Sequence, residues 1–110
     1  MSSISTHVLD TSRGQPAAGL AIRLERQTGD RWEAADGGTT NSDGRVALMP
    51  DGIAPGIYQM TFYTGPWFVA QGQRGFYPHV LVVFEITATD QHYHVPLLLS
   101  PFGYSTYRGS

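Results

Sequence analysis

The 110-residue chain has no cysteine and no lysine. Without thiols it can build neither a disulfide framework nor a thiolate metal site. Its seven basic residues are therefore all arginine, set against nine acidic ones for a formal charge of −2. So small a charge, of acidic sign, excludes the basic footprint that nucleic acids and anionic membrane surfaces require. No apolar run approaches the ~18 residues of a membrane span. The opening Met1-Ser2-Ser3-Ile4-Ser5 also lacks the basic and apolar regions of a signal peptide. A cytoplasmic protein is expected. Charged residues make up only 15% of the chain and hydrophobic ones 41%, the balance of a folded domain rather than a disordered one. No linker, repeat or low-complexity segment divides it, so residues 1–110 read as a single domain.

Turn residues punctuate the chain at short intervals: Arg13-Gly14-Gln15-Pro16, Asp36-Gly37-Gly38, Ser42-Asp43-Gly44, Pro50-Asp51-Gly52 and Ala54-Pro55-Gly56. Between them, Ile4 to Leu9, Leu20 to Arg26 and Ile57 to Tyr63 alternate apolar with polar or small residues, as half-buried strands do. Val80 to Ile86 and Tyr93 to Leu99 are more continuously apolar, which predicts strands buried on both faces. Many short strands at this spacing predict an all-β sandwich. The one helical stretch runs roughly from Pro66 to Gly72, with proline in the first turn and glycine at the stop.

The usual catalytic signatures are missing too. There is no Gly-x-Ser-x-Gly elbow, no glycine-rich phosphate loop, no dinucleotide fingerprint and no convincing carboxylate pair. Imidazoles remain, at His7, His79, His92 and His94. On a strand, His92 and His94 point to the same face. A His-x-His pair can bind zinc, yet no carboxylate or third imidazole lies near it in sequence, and only a distant His7 could close such a site. No metal or cofactor is expected. His7 belongs to the first strand, where a histidine is usually a surface or hydrogen-bonded structural residue, and His79 marks a strand entry. Arg45 follows a tight Asp-Gly turn and opens a strand, a position commonly solvated. The chain ends in Tyr104-Ser105-Thr106-Tyr107-Arg108-Gly109-Ser110. Termini usually fray, and two tyrosines with an arginine point to a tail that packs into something. These groups allow hydrolysis by an activated water and allow simple ligand binding equally well.

Four stretches carry a resemblance. The ending His92-Tyr93-His94-Val95-Pro96-Leu97-Leu98-Leu99-Ser100-Pro101-Phe102-Gly103-Tyr104 through Ser110 resembles the C-terminal signature of 5-hydroxyisourate hydrolases in the transthyretin-like family. Ser5-Thr6-His7-Val8-Leu9-Asp10 with Gly14-Gln15-Pro16-Ala17 is similar to that family's opening. Thr40-Asn41-Ser42-Asp43-Gly44-Arg45 matches its turn, and Tyr77-Pro78-His79-Val80 is similar to a further family segment. The resemblance implies two four-stranded sheets with one short helix. It also implies a homotetramer, a dimer of dimers, with active sites in the channel between dimers. Carried over by motif, the catalytic residues are His7, Arg45, His94 and Ser110, and the substrate-binding ones are His7, Arg45, Tyr107 and Arg108. His92, beside the signature, reads as structural. His94 lies nearer the apolar run from Val95 to Leu99 and is expected to be the more sequestered of the two.

The implied partner is a small molecule, 5-hydroxyisourate, whose ring amide is opened by water to give 2-oxo-4-hydroxy-4-carboxy-5-ureidoimidazoline. In that scheme His7 or His94 deprotonates the water, the other imidazole protonates the leaving nitrogen, and Arg45 stabilises the carbonyl oxygen. Tyr107 and Ser110 supply hydrogen bonds, Arg108 binds substrate or ties the tail down, and Gly109 lets the chain bend where a side chain would not fit. The alternative is a non-catalytic carrier of a small aromatic ligand. Carriers of this fold share the stretch from Leu99 to Thr106 but lack the imidazole of His94 and the Tyr-Arg-Gly-Ser ending.

Overall fold

The computed structural model describes residues 3–88 and 90–109. Ten strand segments and one helix follow in the order β1 (Ser3–Asp10), β2 (Gln15–Pro16), β3 (Ala21–Thr28), β4 (Arg31–Thr39), β5 (Arg45–Leu48), β6 (Gly56–Phe62), α1 (Thr64–Ala70), β7 (Val80–Ile86), β8 (His92–His94), β9 (Leu97–Ser100) and β10 (Gly103–Thr106). They form two sheets, one of six segments and one of four.

The six segments occupy four strand positions. β8 and β9 both pair parallel with β1, and Ser5↔His94 and Val8↔Leu97 keep one register. They are one strand interrupted at Val95-Pro96, where proline has no N–H to give the ladder. On the other side of β1, β5 pairs with residues 4 to 7 and β2 with residues 9 and 10, both antiparallel. The sheet is therefore β10, β8 with β9, β1, and β5 with β2, the four-stranded arrangement expected. The second sheet has the order β4-β3-β6-β7.

β1 obeys the two-residue period of a strand. Ile4, Thr6, Val8 and Asp10 are buried between the sheets, while Ser3, Ser5, His7 and Leu9 line the opposite, half-buried face. The core joins that inner row to Leu24, Met60, Phe62, Leu97 and Leu99, each 2% exposed or less. Burying side chains of this size contributes roughly 1.5–3 kcal/mol each.

Three expectations need correction. β7 is an edge strand, not one buried on both faces: Val80, Val82 and Ile86 face inward, but Leu81 and Val83 are exposed. Asp36-Gly37-Gly38 lies within β4 and makes no turn; the chain reverses at Gly29-Asp30. Glycine serves close approach there, since a Cβ on Gly38 would sit 2.9 Å from Val46 Cγ2. The helix begins two residues early, at Thr64, because Gly65 packs directly on the Pro78 carbonyl, to which its N–H donates at 3.1 Å. Gly72 (φ 75°) follows its end in the left-handed conformation, as expected of a stop. Trp67 anchors the helix by donating from Nε1 to Ala18 O at 2.7 Å.

Candidate active site

β1 gathers the site because it lies between two different neighbours. On one side His7 stands opposite Arg45 of β5; on the other, Ser5 stands opposite His94 of β8. Residues opposite each other share a face, and Ser5 and His7 are one period apart, roughly 6.6 Å along the strand. His7, Arg45 and His94 thus converge on the outer face of the six-segment sheet, although 87 positions separate the ends of the set in sequence.

The turn before β5 sets where Arg45 falls. Asn41 Oδ1 accepts from the backbone N–H groups of Asp43 (2.9 Å) and Arg45 (3.0 Å), the pattern of an asparagine-stabilised turn. Gly44 (φ 75°) closes it, and a Cβ there would come within 2.5 Å of Val8 O. With glycine, Gly44 O instead accepts from Val8 N–H at 2.8 Å. The turn is clamped to β1, and the next residue must lie beside His7.

His94 is held on three sides. Its Nδ1 lies 2.8 Å from Ser5 Oγ, its carbonyl accepts from Gly109 N–H at 2.8 Å, and its ring lies 6.4 Å from that of His92, tilted by 19°. His94 is half-buried and His92 exposed, the order of sequestration expected. Burial holds the His94 pKa below its ordinary 6.5, and electrostatic repulsion from the neighbouring His92, Arg45 and His7 acts in the same direction. Contact with the Ser5 main chain opposes the shift. A neutral imidazole at physiological pH follows, able to accept a proton. An open groove of about 280 Å³ runs past Ser5, Asn41, Arg45, Ala47 and His94.

The tail closes over His94. Gly109 forms an antiparallel bridge with it, and a Cβ on Gly109 would lie 2.5 Å from His94 Cδ2. Gly109 does not adopt a positive φ; it provides space for the imidazole at a point where, as expected, a side chain would not fit. Arg108 donates from Nη2 to Gln91 Oε1 at 2.9 Å and lies with Cζ 4.7 Å from the centre of the Tyr93 ring. Tyr93 is itself fixed, its hydroxyl accepting from the N–H groups of Thr87 and Ala88. Tyr107 and Arg108 line a second groove of about 220 Å³ against β7, walled also by Val82, Tyr93 and Val95 and sharing only His94 with the first. Ser110, expected to be catalytic, lies outside the described residues. Among the described residues no three His, Asp or Glu side chains converge as metal ligands would.

Two features escaped the sequence reading. Ser5 touches both His92 and His94, and Asn41 organises the turn before Arg45. The alternation of β1 puts Ser5 on the face of His7, a legible signal, but which strand lies beside it is not.

With this geometry in view, comparison with known proteins decides the family. The HIUase/Transthyretin family pattern matches residues 4–109. The chain belongs to that family. A Mus musculus protein named 5-hydroxyisourate hydrolase is 49% identical over 113 residues, covering 99% of this chain and 96% of its own length. The structure of Klebsiella pneumoniae 5-hydroxyisourate hydrolase superposes with a TM-score of 0.90 at 37% identity, covering all of both chains. Sea bream transthyretin in complex with thyroxine also gives 0.90, at 29% identity, covering 96% of this chain and 93% of its own.

Proposed function

We infer that this family member is a 5-hydroxyisourate hydrolase acting in urate degradation, and that His7, Arg45 and His94 are its chemical centre. The observation that carries the reading is the placement of those three side chains on one sheet face, from three strands, with Arg45 and His94 lining an open groove. The substrate carries a ring amide. The two imidazoles supply a base for the attacking water and an acid for the leaving nitrogen. General acid–base catalysis of this kind typically contributes about 10²–10⁴-fold. The planar guanidinium of Arg45 faces the carbonyl oxygen as negative charge grows there, an effect worth roughly 3 kcal/mol. Tyr107, Arg108 and Ser110 complete the site from the tail, with hydrogen bonds to substrate or water.

The whole chain, residues 1–110, acts as one domain in the cytoplasm. No helix among the described residues is long and apolar enough to cross a membrane. The active species is a homotetramer, a dimer of dimers. Exposed Leu81 and Val83 on edge strand β7, and exposed Phe76, Phe102 and Tyr104, support burial against further copies.

The test follows ultraviolet decay of 5-hydroxyisourate freshly generated from urate, with wild type beside a variant ending at Thr106. Decay well above the spontaneous rate, lost in the shortened but folded variant, is expected. Decay no faster than buffer from a folded tetramer would move the assignment to a carrier of small aromatic ligands.

A further inference from the structure

Ser3, His92 and Ser5, which the chemistry above leaves unused, form with His94 a hydrogen-bonded row on the outer sheet face. Ser3 Oγ lies 2.6 Å from His92 Nδ1, His92 Nε2 lies 2.7 Å from Ser5 Oγ, and Ser5 Oγ lies 2.8 Å from His94 Nδ1. Hydroxyl and imidazole alternate, and both can donate and accept. The row starts at half-buried His94 and ends at exposed His92 and half-buried Ser3. Backbone pairing fixes its spacing, because Ser3↔His92 and Ser5↔His94 are successive same-face partners of a parallel ladder. Nδ1 of His94 is taken by Ser5, so Nε2 is the nitrogen left for water or substrate.

We propose that Ser5 and His92 form a proton relay that lets His94 act as the base and returns its proton to solvent. The inference rests on the hydrolase reading given above. Two hydrogen arrangements satisfy every contact in the row. In one, His94 Nδ1–H donates to Ser5, Ser5 to His92 Nε2, and His92 Nδ1–H to Ser3, leaving a lone pair on His94 Nε2. In the other every donor is reversed, and His94 carries its hydrogen on Nε2.

Catalysis converts the first arrangement into the second. The attacking water forms its C–O bond and gives a proton to His94 Nε2. His94 Nδ1 releases a proton to Ser5 as Ser5 passes its own to His92 Nε2. His92 Nδ1 releases one to Ser3, which yields one to solvent. The C–N bond breaks with its electron pair on nitrogen, which takes a proton from His7; His7 recovers one from solvent. One proton enters the row and one leaves, and His94 never has to hold a lasting positive charge. That matters because burial and the nearby Arg45 charge both disfavour such a charge. Before the next turnover His94 Nε2 gives its proton to water, Ser3 takes one from solvent, and the shift runs back along the row to restore the first arrangement. Ser5 and His92 touch no reacting atom in this scheme and are positioning residues for His94.

The test compares wild type with Ser5→Ala, Ser5→Thr and His92→Gln at low and high imidazole buffer concentrations. Ser5→Ala and His92→Gln are expected to lose at least about tenfold in kcat with KM little changed. Added imidazole should recover much of the loss, because it can take the proton that the row no longer carries. Ser5→Thr keeps the hydroxyl on a residue suited to a strand and should stay near wild type. Full kcat in Ser5→Ala or His92→Gln overturns the relay. So does a loss that imidazole does not relieve, which marks a misplaced His94. Wild type no faster than buffer overturns the hydrolase reading and the relay with it. Nitrogen-15 spectra of the imidazoles judge the row without turnover: Ser5→Ala should move the His94 Nδ1 and His92 Nε2 signals together, and unchanged signals would contradict it.

Discussion

Gly109→Ala puts one methyl group where the structure has no room. The new Cβ would lie 2.5 Å from His94 Cδ2, 3.2 Å from Cγ and 3.4 Å from Cβ of the same residue. An ordinary contact begins near 3.4 Å, so ring and tail must part by about 1 Å. The His94 ring has little freedom to retreat, since Ser5 holds Nδ1 and the backbone of β8 is paired to β1. The tail therefore moves, losing the Gly109 N–H bond to His94 O, a loss of about 1 kcal/mol. The core is untouched, because Gly109 belongs to none of its buried clusters. A displacement of about 1 Å between catalytic and positioning groups can lower turnover about a hundredfold, equivalent to roughly 2.7 kcal/mol on the barrier. The expected result is thus a large fall in kcat for 5-hydroxyisourate decay with a melting temperature lowered by only about 4–8 °C, the protein staying folded at assay temperature. Unchanged turnover in Gly109→Ala would refute the steric argument, and with it the claim that tail and His94 work as one unit.

Other outcomes follow from the same geometry. Arg45→Lys keeps the charge but replaces a planar fork with a point, so turnover should fall about a hundredfold in the ultraviolet assay; near-normal turnover removes Arg45 from its role. His94 has a folded pKa below its unfolded 6.5, so the unfolded chain binds the extra proton first. Stability is therefore intact above pH 6.5 and declines as pH falls from there through the folded value. Proton NMR should find His94 titrating below 6.5, and titration at or above that value would contradict the assignment of its environment. Leu24→Ala, at a fully buried position, should lower unfolding free energy by about 2–5 kcal/mol in urea while the folded fraction keeps its specific activity. Light scattering should give a tetramer's mass, and a stable monomer would leave the exposed Leu81, Val83 and Phe76 unexplained.

The sequence made the architecture legible wherever period and turn chemistry agreed. Alternation in Ile4 to Leu9 marked a half-buried strand, whose period puts Ser5 and His7 on one face, but the burial of polar Thr6 and Asp10 was not legible. The Asn-x-Asp-Gly-Arg turn foretold where a strand would open with Arg45. Apolar content misled at β7, because Leu81 and Val83 look like core residues when only composition is read, and an edge strand exposes them. Glycine misled at β4, since Gly37 and Gly38 could equally mark a turn or a close packing of strands. The pairing of Ser5 with His94 was not legible. It depends on a parallel register between segments 89 residues apart, and no local propensity encodes that. The contact of Gly109 with His94 escaped for the same reason, although the lack of room for a side chain there was expected.

The most direct test of the central claim is the initial rate of 5-hydroxyisourate decay with wild type and with His94→Ala, each confirmed as folded by circular dichroism. The account predicts rapid decay with wild type and decay close to the spontaneous rate with His94→Ala. Equal rates in the two proteins would contradict it, because the imidazole at the meeting point of β1, β8 and the tail would then have no part in the chemistry.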